Sequence, residues 1–333
     1  MILGVLDQSP IRSGGSAVDA IQETLLLAEH ADRLGYSRYW LAEHHSSGGL
    51  AGTAPEVLMG QVAARTSRIR VGSGGVMLSH YSPLKVAESF RVLEALFPGR
   101  IDLGIGRAPG SDQRTARALR HGPGGVPLEH FPQQLADLIG FLHDELPPGH
   151  PFQGVRAMPA GPTAPPLWIL GSSGDGAALA AHFGTAFSFA HFINAVGGVE
   201  ATHAYREAFR PSARLAAPQA SVAVFAVCAD TADEAERLAR CRDLFIVRLY
   251  TGRFGPFPSV EEAEAYPYSA PELAIVAEAR RRTVSGTPDT VKRQLEALAE
   301  AYGVDELIVV TITHDFKKRL RSYELLAEAF GLF

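Results

Sequence analysis

Residues Ile101–Gln113 read IDLGIGRAPGSDQ, an apolar run of strand length that is interrupted by glycine and ends in an arginine and a Pro-Gly-Ser-Asp loop. An apolar run bounded by turn residues is typical of a strand buried in a parallel sheet. Arg107 stands where that strand meets the loop, and a guanidinium held there can bind a phosphate or carboxylate through two parallel hydrogen bonds. This stretch therefore predicts both a parallel sheet and an anion site at its edge.

Strand-like apolar runs alternate with amphipathic helical patterns along almost the whole chain of 333 residues. This alternation is typical of α/β proteins, either a closed (β/α)8 barrel or an open doubly wound sheet. Eight runs are found, and no early strand is followed by a G-x-G-x-x-G turn. We therefore predict a TIM barrel that forms one domain over residues 1–333. The predicted strands are Ile2–Leu6, Tyr39–Ala42, Ile69–Leu78, Ile101–Ile105, Pro166–Gly171, Ala186–Phe189, Ser221–Val227 and Leu307–Thr311.

Two segments do not fit this repeat. Gly110–Pro127 is polar and glycine-rich and is predicted to be a long loop after the fourth strand. Thr251–Ser269 is rich in glycine, proline and aromatic residues and is predicted to be an insertion after the seventh strand. Insertions at the C-terminal face of a barrel commonly gate or shape the active site. The aromatic insertion is therefore the candidate for keeping water out of that site.

The composition is that of a globular protein, with 46% hydrophobic residues, 20% charged residues and a formal net charge of −5. Mild acidity without a basic cluster argues against nucleic-acid binding, and the run Arg280–Arg282 is interpreted as the solvated face of a helix. No apolar stretch reaches the roughly 18 residues of a membrane span, and a strand-like start leaves no room for a signal peptide. Cys228 and Cys241 lack motif spacing, so we expect a reduced, cytoplasmic protein.

Glu43, His44 and His45 close the second predicted strand. Alternation along a strand places His44 on the same face as Trp40 and directs His45 to the other face. One histidine is therefore expected at the barrel mouth, where an imidazole can polarise a carbonyl group or move a proton. Adjacent histidines on opposite faces do not easily chelate one metal ion, and either histidine taken alone fits a structural role equally well.

Gly72, Ser73, Gly74 and Gly75 interrupt the third predicted strand. Glycine weakens a strand, and it commonly marks a bulge or a close approach of the backbone to a ligand. We predict a bulge at Gly74–Gly75 on which a flat ring system lies. The alternative is tight packing against a neighbouring helix.

The small residues Gly171–Gly174 follow the fifth predicted strand and open a helix. The hydroxyls of Ser172 and Ser173, with the free amides of a helix N-terminus, make an anion site. Together with Arg107, one strand earlier, they predict a shared phosphate site, and the alternative is that a serine merely caps the helix. Ser285–Pro288 competes for this role, but its Thr-Pro pair is the ordinary start of a helix.

Five long motifs resemble those of the bacterial luciferase-like flavin-dependent monooxygenases. They are LAEHH (41–45), VGSGGVMLSHYSPLKVAE (71–88), LFPGRIDLGIGRAPGSD (96–112), LWILGSS (167–173) and GVDELIVVTITHDFKKRLRSYELLAEAF (303–330). The resemblance covers nearly the whole chain. It implies a (β/α)8 barrel that binds reduced FMN, supplied by a separate flavin reductase, and that reacts with dioxygen and a small organic substrate, aldehyde-like or otherwise apolar.

The resemblance also implies roles for individual residues. His44 matches the active-site histidine beside the flavin ring. Gly74 and Gly75 match the bulge behind the ring, which in relatives contains a non-prolyl cis peptide bond. No metal ligand is implied. The residues that match the FMN phosphate site are Arg107, Ser172 and Ser173.

Three other functions remain open at this point. A deazaflavin (F420)-dependent oxidoreductase of the same superfamily needs a deeper and more basic groove for the tail of its cofactor. A non-catalytic flavin-binding protein binds the ring without turnover with dioxygen. A metal-dependent barrel hydrolase needs a cluster of metal ligands.

The family further implies a homodimer. The helices predicted at Pro55–Thr66 and Pro83–Leu96 carry more apolar residues than one barrel face needs to bury, and the excess is expected to form a two-fold interface. The apolar residues are Val57, Leu58, Val62, Val86, Phe90 and Leu93.

Overall fold

The strands form a closed parallel barrel in the computed structural model, which describes residues 1–108, 110–120 and 128–333. The strands are β1 Ile2–Asp7, β2 Arg38–Leu41, β3 Arg70–Ser73, β4 Val76–Met77, β5 Ile101–Gly106, β6 Leu167–Gly171, β7 Ala186–Ala190, β8 Ala220–Cys228, β9 Thr283–Gly286 and β10 Glu306–Val310. All pairings between these strands are parallel, in the order β1-β2-β3-β5-β6-β7-β8-β10, and β10 pairs back to β1. The predicted (β/α)8 barrel is confirmed.

Helices connect the strands and cover the outside of the barrel. They are α1 Ala17–Arg33, α2 Pro55–Arg65, α3 Pro83–Leu96, α4 Gln113–Leu119, α5 Phe131–His143, α6 Gly174–Phe183, α7 Gly198–Ala208, α8 Ala232–Tyr250, α9 Val260–Ala265, α10 Ala270–Arg280, α11 Pro288–Tyr302 and α12 Phe316–Phe330. Strand residues such as Val5, Tyr39 and Val71 pack in one apolar cluster with the helices. Leu6 and Trp40 belong to a second cluster inside the barrel. This division follows from the alternation of side chains along a buried strand.

One helix lies in a segment that was predicted to be a loop. α4 falls within Gly110–Pro127, and Asp112 begins it by accepting hydrogen bonds from the amides of Arg114 and Thr115. Polar, glycine-rich composition predicted a loop because it carries no apolar face at helical spacing. Residues 121–127 of the segment lie outside the described residues.

The insertion after the seventh barrel strand is confirmed. Between α8 and α11 the chain adds α9, α10 and β9. β7 pairs with β8 only as far as Ala223, and β9 pairs with Phe225–Cys228, which continue β8 beyond that point. The short strand Thr283–Gly286 was not predicted, because its four residues include serine and glycine and carry little apolar signal.

A network of buried charges fills the barrel interior near the N-terminal ends of the strands. The guanidinium of Arg38 donates to Asp102 at 2.6 Å and to Glu306 at 2.5 Å. It also stacks on Trp168, with Cζ 4.8 Å from the ring centroid. Charges buried this deeply persist only when they are paired. This end of the barrel is therefore closed and structural, and the active site belongs at the opposite end.

The third barrel strand is broken at the predicted bulge. β3 and β4 are separated by Gly74–Gly75, whose peptide bond is cis. Gly72 pairs with Asp102 and Val76 pairs with Ile105, so four steps along one strand face three along the other. One extra residue in one strand defines a β-bulge. The predicted bulge is confirmed.

Gly104 of β5 has no room for a side chain. A Cβ atom at this position would lie 2.1 Å from the backbone oxygen of Ser73. We expect Gly104→Ala to lower the free energy of unfolding by about 1–3 kcal/mol, because overpacking a buried site forces the backbone to move. Gly60→Ala in α2 is the matched control, since a Cβ atom there meets only Leu93, at 3.7 Å. Urea denaturation compares the two variants, and equal stability would contradict the overpacking.

Cys228 and Cys241 are free thiols, and both are buried. Burial raises the pKa of each thiol to about 12. Within the described ranges, no helix is both long enough and apolar enough to cross a membrane. The assignment of residues 1–333 to one domain stays a prediction.

Candidate active site

A cavity of about 190 Å³ lies at the C-terminal ends of the barrel strands. All five residues that the sequence predicted to hold a cofactor contribute to its wall. The five are Gly74, Gly75, Arg107, Ser172 and Ser173. The structure thus brings together the bulge of the third barrel strand, the end of β5 and the start of α6.

Arg107 follows β5 and forms an ion pair with Asp175 in the first turn of α6, with Nη2 and Oδ2 2.8 Å apart. Both side chains are largely exposed, at 48% and 66%. Exposed ion pairs contribute little to stability, because water screens the two charges. The pair with Asp175 is therefore easily broken, and Arg107 is available to an anion in the same cavity.

The start of α6 is open to an anion. Ser173 precedes the helix in an extended conformation, but its side chain makes no capping hydrogen bond. The alternative that this serine merely caps the helix is therefore not supported. A Cβ atom added at Gly174 would meet no atom within 4 Å. The first amides of a helix carry partial positive charge, and the two serines that precede this helix line the smaller cavity.

A second cavity, of about 570 Å³, adjoins the first, and Phe192 and Ile193 contribute to the walls of both. His44 lines this larger cavity rather than the smaller one. Its wall is mainly apolar. The apolar side chains include Phe225, Phe245, Leu249, Phe254, Phe257 and Ile312. The predicted catalytic histidine therefore stands beside a space suited to an apolar molecule, next to the predicted cofactor cavity.

His44 is held as a neutral imidazole. Burial, and then the nearby charge of His45, lower the pKa of His44 to about 4. Its backbone amide donates to the oxygen of Gly52 at 2.8 Å. Its buried Nδ1 atom has no hydrogen-bond partner within the described part of the chain. A neutral imidazole offers one donor and one acceptor, so near pH 7 this ring can accept a proton or donate a hydrogen bond.

His45 also lines the larger cavity, which corrects the prediction that the two histidines face opposite ways. β2 ends at Leu41, so strand alternation does not reach the histidines. The Nε2 atom of His45 lies 2.7 Å from Oε1 of Glu43, which also accepts the hydroxyl of Tyr81 at 2.7 Å. Oε2 of Glu43 accepts the amide of Met77 at 2.9 Å. The buried carboxylate thus fixes both His45 and the strand that follows the bulge.

Two arginines that the sequence did not indicate line the larger cavity as well. Arg242 belongs to α8, and Arg282 stands between α10 and β9. The prediction that Arg280–Arg282 is a solvated helix face is wrong, because Arg282 is only 9% exposed and Arg280 is ion-paired, whereas Arg281 is largely exposed. α10 ends at Arg280, so the last two arginines do not share a helical face.

The family model of luciferase-like monooxygenases matches residues 1–306 of the chain. The match spans most of the 333 residues, and the chain belongs to the luciferase-like monooxygenase family. The resemblance drawn from the five motifs is confirmed. Membership of a monooxygenase family supports the prediction that the chain is an oxidoreductase.

Two known proteins resemble the chain over nearly its full length. The N-acetyl-S-alkylcysteine monooxygenase of Bacillus subtilis (strain 168) is 40% identical, over 98% of this chain and 97% of that protein. The crystal structure of apo-MsnO8 matches with a TM-score of 0.89 and 42% identity, over 100% of this chain and 98% of that one.

Two more distant structures share the fold. The oxygenating constituent of 3,6-diketocamphane monooxygenase from Pseudomonas putida, in complex with FMN, matches with a TM-score of 0.70 and 22% identity, over 98% of this chain and 97% of that one. An F420-dependent secondary alcohol dehydrogenase matches with a TM-score of 0.68 and 14% identity, over 98% of both chains. Different proteins with this fold thus bind FMN or F420.

Proposed function

We propose that the chain is a monooxygenase that uses reduced FMN and dioxygen to oxidise a small organic substrate with an apolar body. A separate flavin reductase supplies the reduced FMN. The observation that carries the proposal is the meeting of Gly74, Gly75, Arg107, Ser172 and Ser173 in the wall of one cavity. When bound, reduced FMN supplies the electrons that activate dioxygen.

The donors of the smaller cavity suit the phosphate of FMN. Arg107 offers a planar fork of N–H groups, Ser172 and Ser173 offer hydroxyls, and the start of α6 offers backbone amides. The bulge suits the ring, because Gly74 and Gly75 contribute only backbone atoms to the wall of this cavity. A bare stretch of backbone offers a surface against which a planar ring can lie.

The larger cavity supplies a proton acceptor and dry surroundings. His44, neutral near pH 7, accepts a proton at one ring nitrogen and can donate a hydrogen bond from the other. Phe254 and Phe257 of the insertion line the cavity, and the amide of Phe257 donates to the oxygen of Ile11 at 2.7 Å. This bond ties the insertion to the loop after β1. The insertion excludes water, which strengthens the electrostatic interactions inside the site.

The runner-up function is that of an F420-dependent oxidoreductase, and the charges of the smaller cavity favour FMN over it. A long anionic tail calls for several cationic side chains, whereas Arg107 is the one arginine, lysine or histidine among the described residues that line this cavity. A hydrolase finds less support, because no three His, Cys, Asp or Glu side chains in the described ranges are grouped to hold a metal ion.

The proposed substrates are aldehydes and thioethers. The apolar wall of the larger cavity suits a substrate with an alkyl or aryl body. The relative named N-acetyl-S-alkylcysteine monooxygenase is 40% identical to this chain, so thioethers of that class join the aldehydes suggested by the family resemblance.

The test mixes anaerobic protein and photoreduced FMN with a panel of aldehydes and N-acetyl-S-alkylcysteines, and then admits air. We expect an oxidised product from at least one panel member, and only when reduced FMN and dioxygen are both present. Flavin binding without product would support the non-catalytic flavin-binding protein. Product formed with F420 in the absence of dioxygen would support the runner-up, and either result would contradict the proposal.

We also propose that the chain forms a homodimer through α2 and α3. Four of the six residues predicted at the interface are buried within the chain itself, which corrects the basis of that prediction; they are Val62, Val86, Phe90 and Leu93. Val57 remains 65% exposed, and Val92 and Leu96 of α3 add to the exposed apolar surface.

Light scattering at micromolar concentration is expected to give twice the chain mass of 35.6 kDa. A mass equal to that of one chain would contradict the dimer. If the dimer forms through this surface, Val57→Lys should shift the measured mass toward that of the monomer.

A further inference from the structure

Arg242 and Arg282 both lie in the wall of the larger cavity, and both are buried, with exposed fractions of 4% and 9%. Burying a charged group is costly unless a partner of opposite charge and hydrogen bonds compensate for the lost water. Two buried guanidinium groups in the wall of one cavity therefore call for a counter-ion.

Among the residues that the structure describes, neither arginine has a carboxylate within ion-pair distance. Asp243, the neighbour of Arg242 in sequence, is taken by Arg280, whose Nε and Nη2 atoms donate to it at 2.8 and 2.7 Å. Burial, and then the positive charge of Arg282, lower the pKa of Arg242 to about 10. The repulsion by Arg282 outweighs the opposing effect of Asp243 on this pKa, so the charge of Arg242 is only partly compensated.

Arg242 does not use all of its hydrogen-bond donors. It donates to the backbone oxygens of Ala279 at 3.3 Å and Phe192 at 3.4 Å, and to Oγ1 of Thr283 at 2.5 Å. Its Cζ atom lies 4.3 Å from the ring centroid of Phe225. A guanidinium carries five N–H groups, so two of them remain without an acceptor from the described residues.

Arg282 keeps more of its donors free. It donates to the backbone oxygen of Ile193 and, at 3.2 Å, to the hydroxyl of Tyr250. Its buried Nε atom has no hydrogen-bond partner in the described ranges. A buried polar atom without a partner is unusual in a folded protein, and an anion in this cavity would supply the partner.

We propose that Arg242 and Arg282 bind the carboxylate of the substrate, so that the substrate is an organic acid with an apolar body, a class that includes the N-acetyl-S-alkylcysteines of the panel and excludes the simple aldehydes. This inference rests on the proposed function, because it takes the larger cavity to be the substrate site. Free guanidinium N–H groups bind a carboxylate through short, charged hydrogen bonds. Phe225, Phe245 and Phe257 then surround the apolar body. His44 lies in the same cavity wall, so the acid is held beside the catalytic histidine.

An arginine outside the cavity wall provides a matched control. Arg253 of the insertion is not among the described residues that line the larger cavity, and it is paired with Glu272. Because its charge is already compensated, Arg253→Gln should leave the binding of an acid unchanged.

The test is isothermal titration calorimetry of the full chain without flavin, in buffer of low chloride at pH 7, with octanoate and with octanamide. The two probes have the same length and differ in charge. We expect octanoate to bind at least about 10-fold more tightly, because only octanoate carries a negative charge that the two guanidinium groups can compensate. Arg282→Gln and Arg242→Gln should remove this preference, and Arg253→Gln should keep it.

Equal affinity for the two probes, or no binding of either, would overturn the inference, and the unmodified chain alone decides this if an arginine variant does not fold. A preference that survives both Arg242→Gln and Arg282→Gln in folded protein, checked by circular dichroism, would overturn it as well. FMN titration of the same samples separates the two proposals. Failure to bind FMN counts against the proposed function, whereas the preference for octanoate tests the arginine pair alone.

Discussion

Replacing His44 by alanine is expected to lower the turnover with reduced FMN, dioxygen and substrate by about 10²–10⁴-fold, the usual contribution of a positioned acid–base group. The ring lines the larger cavity, next to the cavity that contains the predicted phosphate donors. Because His44 does not line the cofactor cavity, the variant should keep its FMN affinity. Stopped-flow assays of product formation and a flavin titration measure the two properties separately.

The pH dependence sharpens this prediction. With its pKa lowered to about 4, His44 is neutral throughout the physiological range. The part of the rate that depends on His44 should therefore be flat from about pH 6 to 8 and should fall toward pH 4, as the ring takes up a proton and can no longer act as a base. The fall should be absent from His44→Ala. A titration near the ordinary histidine pKa of 6.5 would contradict the neutral, buried ring.

His45→Ala is the matched control, because both histidines line the same cavity. The His45 ring is already engaged by Glu43, so we expect its loss to have a smaller effect than the loss of His44. If His45→Ala lowers turnover and His44→Ala does not, the catalytic assignment is wrong. If chelators abolish the activity of the unmodified protein, the flavin mechanism itself is contradicted.

Replacing Arg107 by alanine is expected to weaken the binding of FMN by about 10- to 150-fold, which corresponds to the loss of about 1.5–3 kcal/mol from a charged hydrogen bond. Arg107→Lys keeps the charge but loses the planar fork, so its affinity for FMN should fall between those of the unmodified protein and Arg107→Ala. Quenching of flavin fluorescence measures all three. Unchanged affinity in Arg107→Ala would rule out the phosphate role.

Two further variants separate phosphate binding from a general effect of charge. Asp175→Asn releases Arg107 from its ion pair and should tighten FMN binding. Arg156→Ala removes another exposed arginine that is paired with an aspartate, Asp144, away from the cavity wall, and should leave the affinity unchanged. Loss of affinity in Arg156→Ala equal to that in Arg107→Ala would show that net charge, and not a phosphate contact, is being measured.

The fold was accessible from the sequence because buried parallel strands and amphipathic helices have different periods, and the alternation spans the chain. The bulge at Gly74–Gly75 was accessible for a local reason, since two glycines late in a strand have few other uses. β9 was missed because its short, polar sequence is stabilised by pairing with the C-terminal half of β8. α4 was missed because it has no apolar face at helical spacing, and its only local signal is the Asp112 cap.

The site was only partly predictable. Arg107, Ser172 and Ser173 stand at strand ends, where a parallel barrel must bring residues together, so their meeting followed from topology. The orientation of His45 could not be predicted, because this residue lies beyond the end of β2, where side chains no longer alternate between two faces. Arg282 was interpreted as solvated because its neighbours are charged, and its burial depends on α8 and the insertion folding over the barrel mouth. Contacts of that kind have no local signal in a sequence.

In the proposed reaction, the protein transfers one oxygen atom from dioxygen to the organic substrate with the help of reduced FMN. The most direct measurement is mass spectrometry of the product after anaerobic protein, photoreduced FMN and the substrate panel are mixed with ¹⁸O₂. We expect a product that carries one ¹⁸O atom, and we expect its formation to be strongly reduced in His44→Ala. A product without the label, or reoxidation of the flavin with no labelled product from any member of the panel, would contradict it.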